Sequence, residues 1–162
     1  RSRPGSQCAQ PINSVDLYPT LLDVAGAARP ADYPLDGTSY LSLLTGRAKT
    51  LQREAIYWHF PGYLGAGTGT WRTTPAGVIR LGDWKLQEFF EDGRRELYNL
   101  REDLGETRNL AQEMPQKGQQ LHTQLVAWRN AIQAPMPSPN VAKNSAEPAR
   151  TGAKKKKAKR SP

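Results

Sequence analysis

Few residues in this 162-residue chain are equipped for chemistry. There are two histidines, His59 and His122, and one cysteine, Cys8. His59 stands in the run Tyr57-Trp58-His59-Phe60-Pro61, with Tyr63, Trp71 and Arg72 following. An imidazole among aromatic rings at a loop mouth suits recognition of a sugar or aryl group; the alternative is a half-buried histidine bracing a strand end. His122 falls one position off the apolar stripe of a helical segment and reads as a surface residue. Cys8, in GSQCAQP, admits no internal disulfide and no cysteine-based zinc site. Glu102, Asp103 and Glu106 lack the bracketing pattern of a calcium loop and read as a solvated turn. Gly62, Gly65, Gly67 and Gly69 do not form a phosphate cradle, because no helix and no Lys-Ser/Thr pair follows them. On these residues alone no catalytic or metal-ligating set can be assembled.

The elements that must position these residues are legible from periodicity. Residues 14–26 read as a helix with Asp16 as N-cap, Pro19 in the first turn and Gly26 as the stop. Its apolar positions are Leu17, Leu21, Val24 and Ala25. A turn-rich connector over 28–39 leads to a short helix at 40–46 closed by Gly46. Residues 53–61 read as a strand ending at Pro61. Residues 62–77, with five glycines, read as a long loop. Residues 78–100 read as an antiparallel meander with turns at Gly82-Asp83 and Asp92-Gly93. Residues 101–113 form a polar connector, and 114–134 an amphipathic helix striped by Leu121, Leu125, Trp128 and Ile132. The expected fragment is α+β: an N-terminal helical piece over 1–50, then an antiparallel sheet packed by a C-terminal helix over 51–134.

Charge separates the remainder. Residues 141–162 carry eight basic side chains and one acid, a net +7, while the other 140 residues carry 15 basic and 14 acidic groups. The basic pI therefore belongs to a tail, and no specific nucleic-acid-binding fold is implied. Residues 135–162 are expected to be a disordered basic tail, too polar to offset their ordering entropy. No apolar run reaches the roughly 18–20 residues of a membrane span. A start on Arg1, without a leader-like apolar stretch, reads as the interior of a longer gene product.

Several stretches in order then resemble one family. Ser14-Val15-Asp16-Leu17-Tyr18-Pro19-Thr20-Leu21-Leu22, Leu35-Asp36-Gly37-Thr38-Ser39 and Leu43-Leu44-Thr45-Gly46 resemble the end of the catalytic domain of type I sulfatases. Tyr57-Trp58-His59-Phe60-Pro61, Ile79-Arg80-Leu81-Gly82-Asp83-Trp84-Lys85-Leu86 and Glu96-Leu97-Tyr98-Asn99-Leu100 resemble their C-terminal subdomain, and Asp103, Glu106, Asn109 and Leu110 continue the pattern. The resemblance runs from about residue 9 to residue 134. It implies a parent enzyme of the α/β, alkaline-phosphatase-like superfamily that hydrolyses sulfate esters. Such enzymes use a formylglycine made within a C/S-x-P-S-R motif and a calcium ion held by Asp and Asn. Both are expected in the parent, and neither has residues here: Cys8 lacks the motif. The resemblance also implies a sulfated small molecule or glycan as substrate, an N-terminal catalytic domain as partner, no membrane, and a periplasmic or extracellular setting. In its context His59, Tyr63 and Arg72 become candidate substrate-binding residues, because the planar fork of an arginine can bind a sulfate or carboxylate, although a loop arginine more commonly sits in solvent. Two other readings stay open: a non-catalytic carbohydrate- or polyanion-binding module, and a phosphate-ester hydrolase of the same superfamily.

The 162-residue chain alone is expected to release no sulfate from an aryl sulfate, with calcium added, above a buffer blank. Turnover rising in proportion to protein concentration would place a nucleophile within it.

Overall fold

A computed structural model describes residues 4–66 and 71–138; most of the expected basic tail, residues 139–162, lies outside the described residues. A 3-10 turn at Ser14–Asp16 runs into α1 (Leu17–Ala25), and α2 is Leu41–Leu44. Six strands follow: β1 (Ala55–Phe60), β2 (Leu64–Ala66), β3 (Trp71–Thr73), β4 (Ala76–Leu81), β5 (Trp84–Phe89) and β6 (Arg95–Asn99). The last element among the described residues is α3 (Pro115–Ala131). The fold is the expected α+β arrangement, a four-stranded antiparallel sheet with helices at both ends of the chain.

The N-terminal piece departs from its expected form in two ways. Asp16 holds the N-cap position of α1, but its side chain makes no capping bond to that helix. Asn13 caps the 3-10 turn and Asp16 closes the box, accepting the Asn13 N–H at 2.7 Å. Asp16 is also fully buried. It takes the Thr38 N–H at 2.8 Å and the Arg53 guanidinium at 2.7 and 2.9 Å, while Arg53 also donates to the Pro11 carbonyl at 3.1 Å. One carboxylate thus joins the start of α1, the 37–38 segment and the residue that leads into β1. Gly37 is demanded by this packing, because a Cβ there would lie 2.0 Å from the Val15 carbonyl oxygen. Thr20 adds a stitch by accepting the Tyr40 N–H at 3.0 Å. The second departure concerns burial. Leu17, Leu21 and Val24 keep helical spacing but are 50, 54 and 60% exposed, and the buried residues of α1 are Pro19 and Thr20. Gly26 ends the helix in the left-handed conformation expected of a C-terminal glycine.

The sheet order is β1-β4-β5-β6, every pairing antiparallel. Register aligns Tyr57, Ile79, Leu86 and Leu97 in one row. Because strand side chains alternate, this row and its neighbours two residues away share one face. Pro115 opens α3, where a missing N–H costs nothing, and α3 lays Leu121 and Leu125 over that face. Ile79, Leu86, Leu97, Leu121 and Leu125 are wholly excluded from solvent, and each such side chain contributes about 1.5–3 kcal/mol. Trp128 packs on Tyr57 of β1, rings stacked at 4.7 Å. Ile132, expected in the stripe, lies beyond the last helical residue and is exposed.

The connections follow from turn chemistry. Gly82, at φ 59°, allows the two-residue turn between β4 and β5. The stretch 62–77 is not a plain loop: β2 and β3 pair as a small hairpin, and Ala76 and Gly77 already belong to β4. Three-residue strands are too short to show a period of two, which is why alternation did not reveal them. The connector 101–113 straps the outer edge of β6: Asn109 Oδ1 accepts the Leu97 N–H at 3.0 Å, and the Leu110 N–H reaches the Leu97 carbonyl at 2.7 Å.

Burial opposes ionisation of Asp16, yet the Arg53 guanidinium and the Asn13 and Thr38 N–H groups outweigh it and hold the carboxyl below the ordinary carboxylate range. Its stabilisation is therefore present above the unfolded carboxyl pKa and is lost as pH falls through the lower folded value. Arg53→Met leaves the buried carboxylate without its cation, at a cost of about 3 kcal/mol. Hydrogen exchange is expected to show α1 amides losing at least about tenfold of their protection while β4 and β5 keep theirs. Equal loss in both regions, or none in α1, would refute this division.

Candidate functional site

The three sequence-derived positions gather at one end of the sheet, the end where β1 finishes and β4 begins. His59 pairs with Gly77, Gly77 with Glu88, and Glu88 with Arg95. This row lies on the helix-bearing face, two residues beyond the Tyr57–Leu97 row. His59 therefore turns toward α3 and the segment after it. Its Nε2 lies 2.7 Å from the Pro135 carbonyl. A carbonyl can only accept, so Nε2 carries the proton and donates. Nδ1 is buried and has no hydrogen-bond partner among the described residues. The ring also meets Phe90, centroids 5.4 Å apart.

Tyr63 follows in the turn after β1. Its hydroxyl donates to Glu91 Oε1 at 2.6 Å, which ties the β1–β2 turn to the β5–β6 turn. This bond, then burial and the Glu91 charge, raise the phenol above its ordinary pKa. Arg72 sits on β3 opposite Gly65, whose φ is 75°. The Arg72 side chain is exposed and forms no ion pair with an acid among the described residues. Tyr63 and Arg72 thus hold the exposed rim of this sheet end, and His59 lies behind it under the C-terminal segment.

One cluster was not anticipated from sequence. Glu88 on β5 binds His122 Nε2 through Oε1 at 2.9 Å and Arg129 Nη1 through Oε2 at 2.8 Å. His122 is therefore half-buried rather than a plain surface residue. Arg129 extends over the Phe90 ring, 5.2 Å from its centroid. A continuous chain of contacts results: His122, Glu88, Arg129, Phe90, His59, Pro135. The signal was present in the sequence. His122 and Arg129 are seven residues apart, two turns on one helix face, and Glu88 shares the inward parity of Leu86. Burial raises the Glu88 carboxyl, but the hydrogen bonds from His122 and Arg129 and the Arg129 charge outweigh it and hold the group below the ordinary range. The cluster contains no nucleophile, and each charge answers another, so it functions as a clasp between α3 and the sheet.

Nothing here fits the cation and modified residue implied by the resemblance. Among the described residues no three His, Cys, Asp or Glu side chains lie close enough to hold a metal ion, and Cys8 is exposed outside any modification motif. No helix among the described residues is long and apolar enough to cross a membrane.

Sheet, clasp and rim form a sheet-and-helix body, with no metal-holding cluster among its described residues. Residues 1–131 match the family model described as N-sulphoglucosamine sulphohydrolase, C-terminal, and the chain belongs to that family. A sulfatase of Formosa agariphila is 36% identical over 139 residues, covering 78% of this chain and 24% of that protein. A solved structure in complex with its substrate D-glucosamine-2-N,6-O-disulfate is 27% identical with a TM-score of 0.58, covering 75% of this chain and 24% of that one. The phosphonate monoester hydrolase of Silicibacter pomeroyi is 26% identical with a TM-score of 0.61, covering 80% and 27%. The chain thus spans about a quarter of the length of these proteins.

Glu88→Gln removes the charge that answers His122 and Arg129 and is expected to destabilise the chain by about 2 kcal/mol at neutral pH. The wild-type carboxyl lies below its reference value of 4.5, so its contribution is present above that value and fades as pH falls through the lower folded pKa. Urea unfolding at pH 7 and pH 3 is expected to show the gap between variant and wild type shrinking. A constant gap would mean that the charge is not what holds α3.

Proposed function

We propose that this chain is the C-terminal part of a sulfatase, a sulfuric ester hydrolase, acting on a sulfated carbohydrate. The carrying observation is the match of residues 1–131 to the sulphohydrolase C-terminal family. The substrate class draws on the solved relative bound to a disulfated glucosamine. Sulfate transfer of this type needs a formylglycine and a metal ion, and among the described residues no cluster of three His, Cys, Asp or Glu side chains could hold the metal. In this proposal a formylglycine and calcium reside in the rest of the protein. Residues 1–50 finish the catalytic domain and residues 51–134 form the C-terminal subdomain. The exposed apolar face of α1, with Ile12, Val15 and Leu44 nearby in sequence and also exposed, supports this division: an apolar face of that extent needs a partner.

At the substrate edge, Arg72 has the chemistry to pair with a sulfate or uronate oxygen and Tyr63 to offer a ring face or hydroxyl. His59 contacts a sugar hydroxyl only by exchanging it for the Pro135 carbonyl. A second reading, hydrolysis of phosphate or phosphonate esters, is favoured by the likeness to the phosphonate monoester hydrolase. Parallel assays of the longer protein on sulfate and phosphonate esters of the same aryl alcohol separate the two.

In that longer protein, Arg72→Ala is expected to raise KM for a sulfated disaccharide about tenfold, the scale of one lost charge-assisted hydrogen bond. KM for a small aryl sulfate and kcat on both substrates are expected to change little, because only ground-state binding of the distal sugar is lost. Equal changes on both substrates would remove the substrate-contact role.

A further inference from the structure

A cavity of about 490 Å³ lies at the β6 edge of the sheet, between β6, the connector 101–113 and the first turns of α3. Its volume falls within the range of about 300–1,000 Å³ typical of small-ligand sites. Arg95 of β6, Gln112 of the connector, and Gln116 and Gln119 of α3 line it. Arg95 ends the cross-strand row that begins at His59. Three strand spacings, roughly 14 Å, therefore separate the two residues. None of His59, Tyr63 and Arg72 lines this cavity.

Two features distinguish it from a packing defect. The first is its polar lining. Arg95 Nη1 donates to Gln119 Oε1 at 3.0 Å, and Arg95 forms no ion pair among the described residues. Glu88, directly across on β5, already gives its oxygens to His122 and Arg129, and no acid lines the cavity. A guanidinium left without a carboxylate keeps N–H groups for an oxyanion. The side-chain amides of Gln112 and Gln116 have no hydrogen-bond partner among the described residues. An amide both donates and accepts, which is what hydroxyl groups require. The second feature is Gly118. It is buried on α3, yet a Cβ built there would meet no atom within 4 Å. The space that side chain would enter is the cavity. Glycine inside a helix is less stable than alanine, so helix stability does not call for it here. Its effect is to keep the cavity open beside the apolar ring of Pro115.

We propose that this cavity is an accessory site for one anionic sugar unit. Arg95 takes the sulfate or carboxylate, Gln112 and Gln116 take ring hydroxyls, and the apolar face of the sugar rests on Pro115 in the room that Gly118 leaves. The choice of a sugar rests on the sulfated-carbohydrate reading above. The site adds a second place of contact, at the far edge of the sheet from the Arg72 rim.

The test is binding to the whole 162-residue chain, followed by two-dimensional NMR of nitrogen-15-labelled protein. The sulfatase reading is decided separately, by turnover of the longer protein, so the two can fail independently. The probes are N-acetylglucosamine 6-sulfate, glucuronate, neutral N-acetylglucosamine and inorganic sulfate. The anionic sugars are expected to shift, saturably, the side-chain amide signals of Gln112, Gln116 and Gln119 and the backbone amide of Gly118. Either one is expected to bind at least about tenfold more tightly than the neutral sugar, the scale of one charge-assisted hydrogen bond. Binding of either supports the site, and the ratio of their affinities identifies the anion it serves. Arg95→Gln, at an exposed position, is expected to abolish that tenfold margin. Gly118→Leu fills the cavity and is expected to weaken binding at least about tenfold, with a melting temperature no lower than wild type because leucine is the better helix former. That comparison separates a blocked site from a damaged fold, and Arg95→Gln asks the same question without altering the helix. Equal affinity for charged and neutral sugars, undiminished binding by both variants, or shifts confined to the signals of Tyr63 and Arg72 would overturn the site. Inorganic sulfate binding as tightly as the sulfated sugar would overturn the assignment to a sugar.

Discussion

The buried contact between Asp16 and Arg53 is the constraint on which the relative placement of the rest depends. Asp16 lies at the entry to α1 and Arg53 directly before β1, so their pairing decides how the N-terminal piece meets the sheet. The carboxylate tolerates burial because the Arg53 fork and the Asn13 and Thr38 N–H groups occupy its oxygens. A buried charge with fewer partners would cost several kcal/mol. The pair is therefore a statement of geometry as much as of energy: it is worth having only if all its partners arrive together. Gly37 shows how closely the backbones must approach for that to happen.

A second constraint operates at the other end of the sheet. The core row of Ile79, Leu86 and Leu97 would accept a helix in several azimuths, because apolar contact is non-directional. Directional groups select one of them. Glu88 accepts His122 and Arg129 from one face of α3, and Tyr57 stacks on Trp128. Once α3 is set, its C-terminal segment reaches His59, and the imidazole becomes a structural donor rather than a free group on an open edge. The same residues that dock the helix thus decide which side chains stay exposed: Arg72 and Tyr63 remain at the surface and His59 is screened.

The uneven distribution of apolar burial fits a chain that spans about a quarter of its relatives' length. Sheet and α3 enclose a dry core of their own. The helix α1 does not, and presents Leu17, Leu21 and Val24 to solvent. Hydrophobic periodicity records which face of a helix is meant to be covered, not by what. Membership in the sulphohydrolase C-terminal family supplies the context in which such a face makes sense.

The sequence by itself determined the elements whose causes are local. Pro61 ended β1, Gly82-Asp83 and Asp92-Gly93 turned the meander, Pro115 opened α3 and Gly26 closed α1, all through φ preferences or missing N–H groups that act within a few residues. The order of motifs also sufficed to place the chain in its family. Three features were decided only by tertiary structure. Asp16 has an N-cap's residue type and a plausible N-cap position, yet Arg53, 37 residues away, claimed its carboxylate. The β2–β3 hairpin exists because its ends are held by β1 and β4, since two strands of three residues have no independent stability. His59 was legible as a histidine at a strand end but not as one bonded to Pro135, because that contact joins residues 76 apart through the docking of a helix between them. Local preferences act through neighbours in the chain and can be read from it. Partners of polar side chains are chosen among whatever folding brings near, and that choice is made only when sheet and helices have closed on one another.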